Sequence, residues 1–192
     1  MPDIFIIGGP NGAGKTTASF IVLPELLHIM EFVNADEIAR GLSPFNVEAA
    51  ALEAGRIMLH RMEDFLRERK SFAFESTLAS KGFAAYVKRA REAGFHINIS
   101  YYWLKSPEQS AQRVARRVTE GGHNIPLEVI QRRYLRGLRN FLTLYSPLAD
   151  SWSLFDNSGN APVVVAEGNM EIVREIYQPQ TWDYIHQQIQ ET

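Results

Sequence analysis

Residues 3 to 8 form a continuous apolar run, rich in β-branched side chains and closed by Gly8-Gly9. A short run without alternation predicts a strand buried on both faces, as in a parallel sheet. A helix is expected next, from about Gly14 to Leu23, stopped near Pro24, which cannot continue it. Further strands are expected at 32–34, 72–75, 96–104, 152–155 and 163–165, with helices at roughly 46–70, 81–93, 107–119, 126–144 and 171–190. Two helix starts carry explicit signals. Ser106-Pro107-Glu108 supplies a cap, a proline at the first position and an acid in the first turn, and Pro126 with Glu128 repeats the pattern. Strands alternating with helices predict an α/β fold whose sheet is mainly parallel, with ligands at the carboxyl ends of the strands. No repeat, low-complexity tract or linker divides the chain, so a single domain over 1–192 is expected.

Composition narrows the class without naming a chemistry. The 192 residues suffice for one sizeable core, and 45% hydrophobic with 22% charged residues is globular composition, not that of a disordered chain. A formal net charge of -2 provides no global field toward nucleic acid or an anionic membrane, so basic function must be local. The absence of cysteine excludes disulfides, thiolate zinc sites and cysteine nucleophiles together. Met1-Pro2-Asp3 lacks a basic leader region, and the apolar run after it is too short for a signal peptide or a membrane span. A cytoplasmic location is expected.

The first chemical signal is Gly9-Pro10-Asn11-Gly12-Ala13-Gly14-Lys15-Thr16, placed between the first strand and the first helix. Glycines at Gly9, Gly12 and Gly14 let the backbone turn tightly, so that successive N–H groups and a helix N-terminus face one anion. In this phosphate loop Lys15 is expected at the β and γ phosphates of ATP or GTP, the Thr16 hydroxyl on Mg²⁺, and Thr17 near the α-phosphate. Asn11 and Ala13 complete the expected nucleotide contacts. The spelling GPNGAGKTT also suits a transport ATPase, but neither an LSGGQ-type signature nor an apolar run ending in Asp-Glu is present. Asp36-Glu37 comes far too early for the latter.

Asp36 lies just past the second expected strand and Glu75 closes the third, so both belong at the sheet edge that carries the phosphate loop. A carboxylate there can take the proton of an acceptor hydroxyl, the role expected of Asp36; its alternative is to cap a helix starting near Glu37. Glu75-Ser76-Thr77 is expected either to bind acceptor hydroxyls or a metal-bound water, or, through Ser76 or Thr77, to cap the next helix. The histidines show no metal-ligand spacing.

Arg113, Arg116, Arg117, Arg132, Arg133, Arg136 and Arg139 fall within a lysine-free stretch, and guanidinium forks match phosphate oxygens. Helical spacing puts Arg113, Arg116 and Arg117 on one face and Arg132, Arg136 and Arg139 on a face of the next helix, with Arg133 about 100° away. Between them, Thr119-Glu120-Gly121-Gly122-His123-Asn124-Ile125 is expected to form a lid over the phosphates, approximately 113–136; a tight helical hairpin is the alternative. Tyr134, Phe141 and Tyr145 recur at helical spacing and are expected to face the core instead of stacking on RNA bases.

Together GPNGAGKTT, FVNADEIARGLSP, FAFESTLAS, RVARRVTEGGHNIPLEVIQRRYLRGLRNF and LFDNSG resemble the zeta-toxin-like P-loop kinases, in particular the small stand-alone group often labelled predicted ABC-type ATPases. The resemblance spans most of residues 4 to 159. It implies a three-layer P-loop NTPase fold with helices on both faces of the sheet and a helical, arginine-bearing lid. Zeta toxins are ATP- or GTP-dependent kinases of the 3′-hydroxyl of UDP-N-acetylglucosamine, restrained by an antitoxin. The resemblance therefore implies a nucleotide, Mg²⁺, a sugar-nucleotide acceptor and a protein antitoxin as partners. It implies Lys15, Asp36 and Arg117 as catalytic residues and Glu75 and Thr77 as acceptor contacts. A second phosphate-binding arginine is expected at Arg132 or Arg133, with Arg133 on the nucleotide and Arg132 on the acceptor, because the chain departs from the toxins around Gly121-Gly122-His123.

Overall fold

The computed structural model describes residues 1–122 and 124–190. Seven strands form one sheet: β1 (Asp3–Gly8), β2 (Phe32–Val33), β3 (Phe72–Ser76), β4 (His96–Trp103), β5 (Ser151–Asp156), β6 (Val163–Asn169) and β7 (Ile172–Ile176). Their order is β2-β3-β1-β4-β5-β6-β7. The first five are mutually parallel, and β6 and β7 extend the sheet antiparallel. Helices cover both faces: α1 (Lys15–Ile21), α2 (Ala35–Leu42), α3 (Val47–Glu68), α4 (Gly82–Glu92), α5 (Pro107–Thr119), α6 (Leu127–Asn140) and α7 (Pro179–Gln190). This is the expected α/β class. Among the described residues, no helix is long and apolar enough to cross a membrane.

The central strands explain themselves. Ile4, Ile6 and Ile7 of β1 pair with Phe72, Phe74 and Glu75 of β3 on one side and with Ile97, Ile99 and Ser100 of β4 on the other. All the apolar members are buried, because helices cover both faces and leave no solvent side for polar alternation. Tyr134, Phe141 and Tyr145 are buried as expected, with Phe141 stacked on Tyr101 at 4.5 Å between ring centroids.

Four elements differ from the sequence reading. α2 occupies 35–42, outside the expected helices. The helix after the phosphate loop leaves α geometry at Ile21 and widens into a π-helical turn, Val22–Leu26, which accommodates Pro24 before the chain leaves the helix. A second π turn, Phe141–Tyr145, likewise ends α6. The segment expected as one helix over 171–190 divides: Ile172-Val173-Arg174-Glu175-Ile176 pairs with β6, and α7 begins only at Pro179. The β-branched residues favour the strand, and a proline at the first helical position sets the start.

The segment leaving β3 is held in an unusual conformation. Leu78 is fully buried with φ 56°, a left-handed backbone uncommon for leucine. Its surroundings enforce it: the Asn140 amide donates to the Leu78 carbonyl at 2.8 Å, and the Ser76 hydroxyl accepts from the Leu78 N–H at 3.1 Å. Gly137 of α6 lies against the same turn so closely that a Cβ there would stand 2.3 Å from the Thr77 carbonyl oxygen. Gly137→Ala is expected to destabilise the fold by about 1–3 kcal/mol, the usual size of an overpacking penalty. Chemical denaturation at unchanged m-value measures it.

Candidate active site

Two adjoining cavities open at the carboxyl ends of β1, β2 and β3. The smaller, about 170 Å³, is lined by Asn11, Gly12, Ala13, Gly14, Lys15, Thr16, Thr17, Asp36, Glu75, Arg113 and Arg117. The larger, about 710 Å³, takes Asn34, Ser76, Thr77, Phe83, Arg132, Arg133 and Arg136 together with the α3 face from Ala51 to Leu59. Asn11, Lys15, Asp36 and Glu75 line both. They are the junction.

The loop between β1 and α1 is shaped by close approach. Gly9 has φ 140°, and a Cβ there would stand 2.3 Å from the Tyr102 carbonyl oxygen of β4. At the other end Asn157, just past β5, donates its amide to the Ala13 carbonyl at 2.7 Å and its own N–H to the Trp103 carbonyl at 2.9 Å. Ser110 of α5 donates to the Asn11 carbonyl at 2.5 Å. Gly14 begins α1 in a left-handed conformation without a side-chain cap, so the first N–H groups of the helix stay available to an anion.

Glu75 organises the junction. Its Oε2 accepts from the Thr16 hydroxyl at 2.8 Å and from the Asn34 amide at 2.9 Å, while Lys15 Nζ lies 3.5 Å from Oε1. Lys15 is buried and also donates to the Pro10 carbonyl at 2.9 Å. Asn34 serves two elements at once, since its Oδ1 accepts from the N–H groups of Asp36 and Glu37 and so caps α2. The capping alternative for Asp36 is thereby removed: Asp36 sits in the first turn, and its carboxylate has no hydrogen-bond or ion-pair partner among the described residues. Neither Ser76 nor Thr77 caps α4; the Ser80 hydroxyl accepts from Gly82 N–H at 3.1 Å.

The arginines sort differently from their helical spacing. Arg113 and Arg117 line the smaller cavity, and Arg116 turns outward to an exposed ion pair with Glu120 at 3.1 Å. Nε and Nη2 of Arg117 are enclosed without a partner among the described residues, as is Asn11 Oδ1. Buried guanidinium donors beside a free helix N-terminus form a set that suits a phosphate-sized anion. Arg113 donates to the Ser158 carbonyl at 3.2 Å. Arg133, expected at the nucleotide, instead lines the larger cavity with Arg132 and Arg136, while Arg139 turns away to donate to the Ile189 carbonyl at 3.1 Å. A 100° step still reaches a cavity that wraps around the helix.

The segment expected as a lid joins α5 to α6, which pack on one another. It ends α5 with Gly121 at φ 91° and Gly122 N–H donating to the Arg117 carbonyl at 2.9 Å, and Ile125 packs with Val114 and Ile130. A Cβ on Gly122 would meet Arg117 Cγ at 2.7 Å, so this glycine makes room for the arginine. His123 lies outside the described residues.

Asn34, Asn157 and Arg56, the last on the α3 wall, were not anticipated. Asn34-Ala35-Asp36-Glu37 does carry the N-cap-x-x-Glu signature of a helix start, which identifies Asn34 as the cap. Asn157 falls within LFDNSG, which does not by itself give the residue a role, and nothing local marks Arg56.

A family model described as an AAA domain matches residues 4–139. An uncharacterised protein of Haemophilus influenzae is 29% identical over 126 residues, covering 66% of this chain and 88% of its own. The AvrRxo1-ORF1:AvrRxo1-ORF2 complex, solved with sulphate ions and with ATP, superposes with TM-scores of 0.76 and 0.74 at 18% identity over 96% of this chain. The present chain spans only 63% of that one. A structure from the PezAT chromosomal toxin-antitoxin system of Streptococcus pneumoniae superposes with a TM-score of 0.67 at 14% identity, covering 100% of this chain and 87% of that one. These likenesses establish a P-loop kinase-like fold.

Asn34→Ala should remove both the α2 cap and a partner of Glu75, costing about 1–3 kcal/mol of stability. Asn34→Asp keeps the cap but sets a second carboxylate against Glu75. Asn34→Asp is therefore expected to gain stability as pH falls through the carboxylate range, a dependence that thermal melts between pH 4 and 8 would reveal.

Proposed function

The chain belongs to the AAA domain family, and we propose that it is an ATP-dependent kinase of the zeta-toxin type, acting on a sugar hydroxyl, with UDP-N-acetylglucosamine as the acceptor. The observation that carries the reading is the junction: a phosphate-sized pocket and a larger cavity meet at Lys15, Asp36 and Glu75. A donor phosphate and an acceptor hydroxyl can approach one another there.

In this reading the backbone from Gly9 to Gly14, with Asn11, Thr16 and Thr17, holds the phosphates of ATP or GTP. Lys15 leaves Glu75 and the Pro10 carbonyl to meet the β and γ phosphates, and Arg117 satisfies its two enclosed nitrogens on the γ-phosphate. Asp36, whose carboxylate has no partner among the described residues, takes the proton of the acceptor hydroxyl. That oxygen bonds to the γ-phosphorus as the bond from the γ-phosphorus to the β,γ-bridging oxygen breaks, and the nucleoside diphosphate departs with the bridging oxygen. Glu75 and Thr77 orient the acceptor.

Mg²⁺ carried with the nucleotide would meet hard oxygen donors at the Thr16 hydroxyl and the Glu75 carboxylate, 2.8 Å apart, and would neutralise phosphate charge. Among the described residues no group of three or more His, Asp or Glu side chains could hold a metal.

The larger cavity favours a charged acceptor. Arg56, Arg132, Arg133 and Arg136 line it, and among the described residues none of them has an ion-pair partner. We assign Arg132 and Arg133 to the diphosphate of the acceptor, which moves Arg133 from donor to acceptor side. A protein antitoxin belongs to the same reading, motivated by the toxin-antitoxin system of the PezAT structure.

Purified protein with ATP and Mg²⁺ should phosphorylate UDP-N-acetylglucosamine, detected as a mass gain of one phosphate. Lys15→Ala and Asp36→Asn should each lower transfer by at least about a hundredfold, and Asp36→Asn alone should leave ATP affinity near wild type. Failure to phosphorylate any UDP-sugar, nucleoside or small alcohol would sink the kinase reading.

A further inference from the structure

Gly55 lies well inside α3, a helix of 22 residues, where glycine is the least favourable residue after proline. At Gly9 and Gly137 a Cβ would strike backbone 2.3 Å away, which accounts for those glycines. No such account applies here. Among the described residues a Cβ at Gly55 would meet nothing within 4 Å, and the backbone is ordinary helix. What distinguishes the position is where it faces: Gly55 lines the larger cavity, one helical turn from Ala51 and from Leu59, with Leu52, Met58 and Phe83 as apolar neighbours on the same walls.

We propose that Gly55 is a specificity-determining residue of the acceptor site: the gap left by its missing side chain seats the apolar face of a ring in the acceptor, against α3 and facing Phe83. The inference rests on the kinase reading above. Leu52, Met58 and Leu59 border the gap with bulky apolar groups, so the wall is recessed at Gly55 and Ala51. A flat or gently puckered ring fits such a recess with its edge groups left free. Arg56, next along the helix, stands ready for an anionic substituent on that ring or beside it. The helix accepts a poor residue at this position because a side chain would fill space that the acceptor needs.

Gly41 supplies a matched control. It too is a helical glycine whose Cβ would meet nothing within 4 Å, but it lies in α2 and does not line either cavity. The full chain carrying Gly55→Ala, Gly55→Leu, Gly41→Ala or Gly41→Leu would be compared with wild type. The assay follows transfer of label from γ-labelled ATP to UDP-N-acetylglucosamine and to the small-molecule fraction of a bacterial extract. Binding of ATP and thermal melting would be measured alongside.

Gly55→Ala should melt about 2–4 °C higher than wild type, since it only improves a helix interior, and Gly41→Ala, in the last turn of α2, should rise by less. Gly55→Ala should raise the KM for acceptor with kcat little changed. Gly55→Leu should cut transfer roughly ten- to hundredfold with ATP affinity intact, and Gly41→Leu should transfer at the wild-type rate. Wild-type transfer by Gly55→Leu, or a lower melting temperature for Gly55→Ala, would overturn the assignment. The first outcome shows that no ring occupies the gap, and the second that packing alone requires the glycine; both leave the kinase reading standing. If wild type labels nothing while binding ATP, the kinase reading fails and the acceptor assignment falls with it.

Discussion

Glu75 is the point on which the site depends. One carboxylate at the end of β3 receives the Thr16 hydroxyl, the Asn34 amide and the Lys15 ammonium, and so joins the phosphate loop, the end of β2 and the start of α2. A largely enclosed carboxylate is tolerated only when its oxygens are satisfied, so the elements that satisfy it are drawn to fixed positions. Asp36 inherits its place from this arrangement. Asn34 holds Glu75 with its amide nitrogen and the first turn of α2 with its amide oxygen, which sets Asp36 beside the phosphate loop with its carboxylate unpartnered among the described residues.

The walls around that junction are rigid for a different reason. Gly9 against Tyr102 and Gly137 against Thr77 are backbone contacts too close for any side chain, and Leu78 is kept left-handed by Asn140 and Ser76. Strain of this kind persists only where surrounding contacts over-determine it. It presents Thr77 to the larger cavity from a turn clamped by α6, the helix that also carries Arg132, Arg133 and Arg136. Thr77 and the arginines that line the larger cavity are thus mechanically one unit.

Much of this was legible in the order of residues. The apolar run before the phosphate loop identified β1, the glycine spacing identified the loop, and the strand-helix alternation identified a parallel sheet that brings Asp36 and Glu75 to the same edge. The β7 strand was missed because a five-residue segment of mixed character, Ile172 to Ile176, looks helical until a neighbouring edge is available to pair with it. Arg133 lines the larger cavity beside Arg132 although spacing sets the two about 100° apart, because spacing gives angles around a helix and not the curvature of the cavity that meets it.

By itself, then, the sequence determined the elements whose signals are local: buried strands, capped helix starts, and a glycine-rich loop whose conformation few other residues permit. Tertiary structure alone decided which polar groups find partners. Lys15, Thr16, Asn34 and Glu75 lie up to 60 positions apart, and their meeting follows from strand order and register, which no local pattern encodes. The same holds for the gap at Gly55 and for the two Arg117 nitrogens that have no partner among the described residues. Space left open is a property of everything packed around it, and only the folded chain defines it.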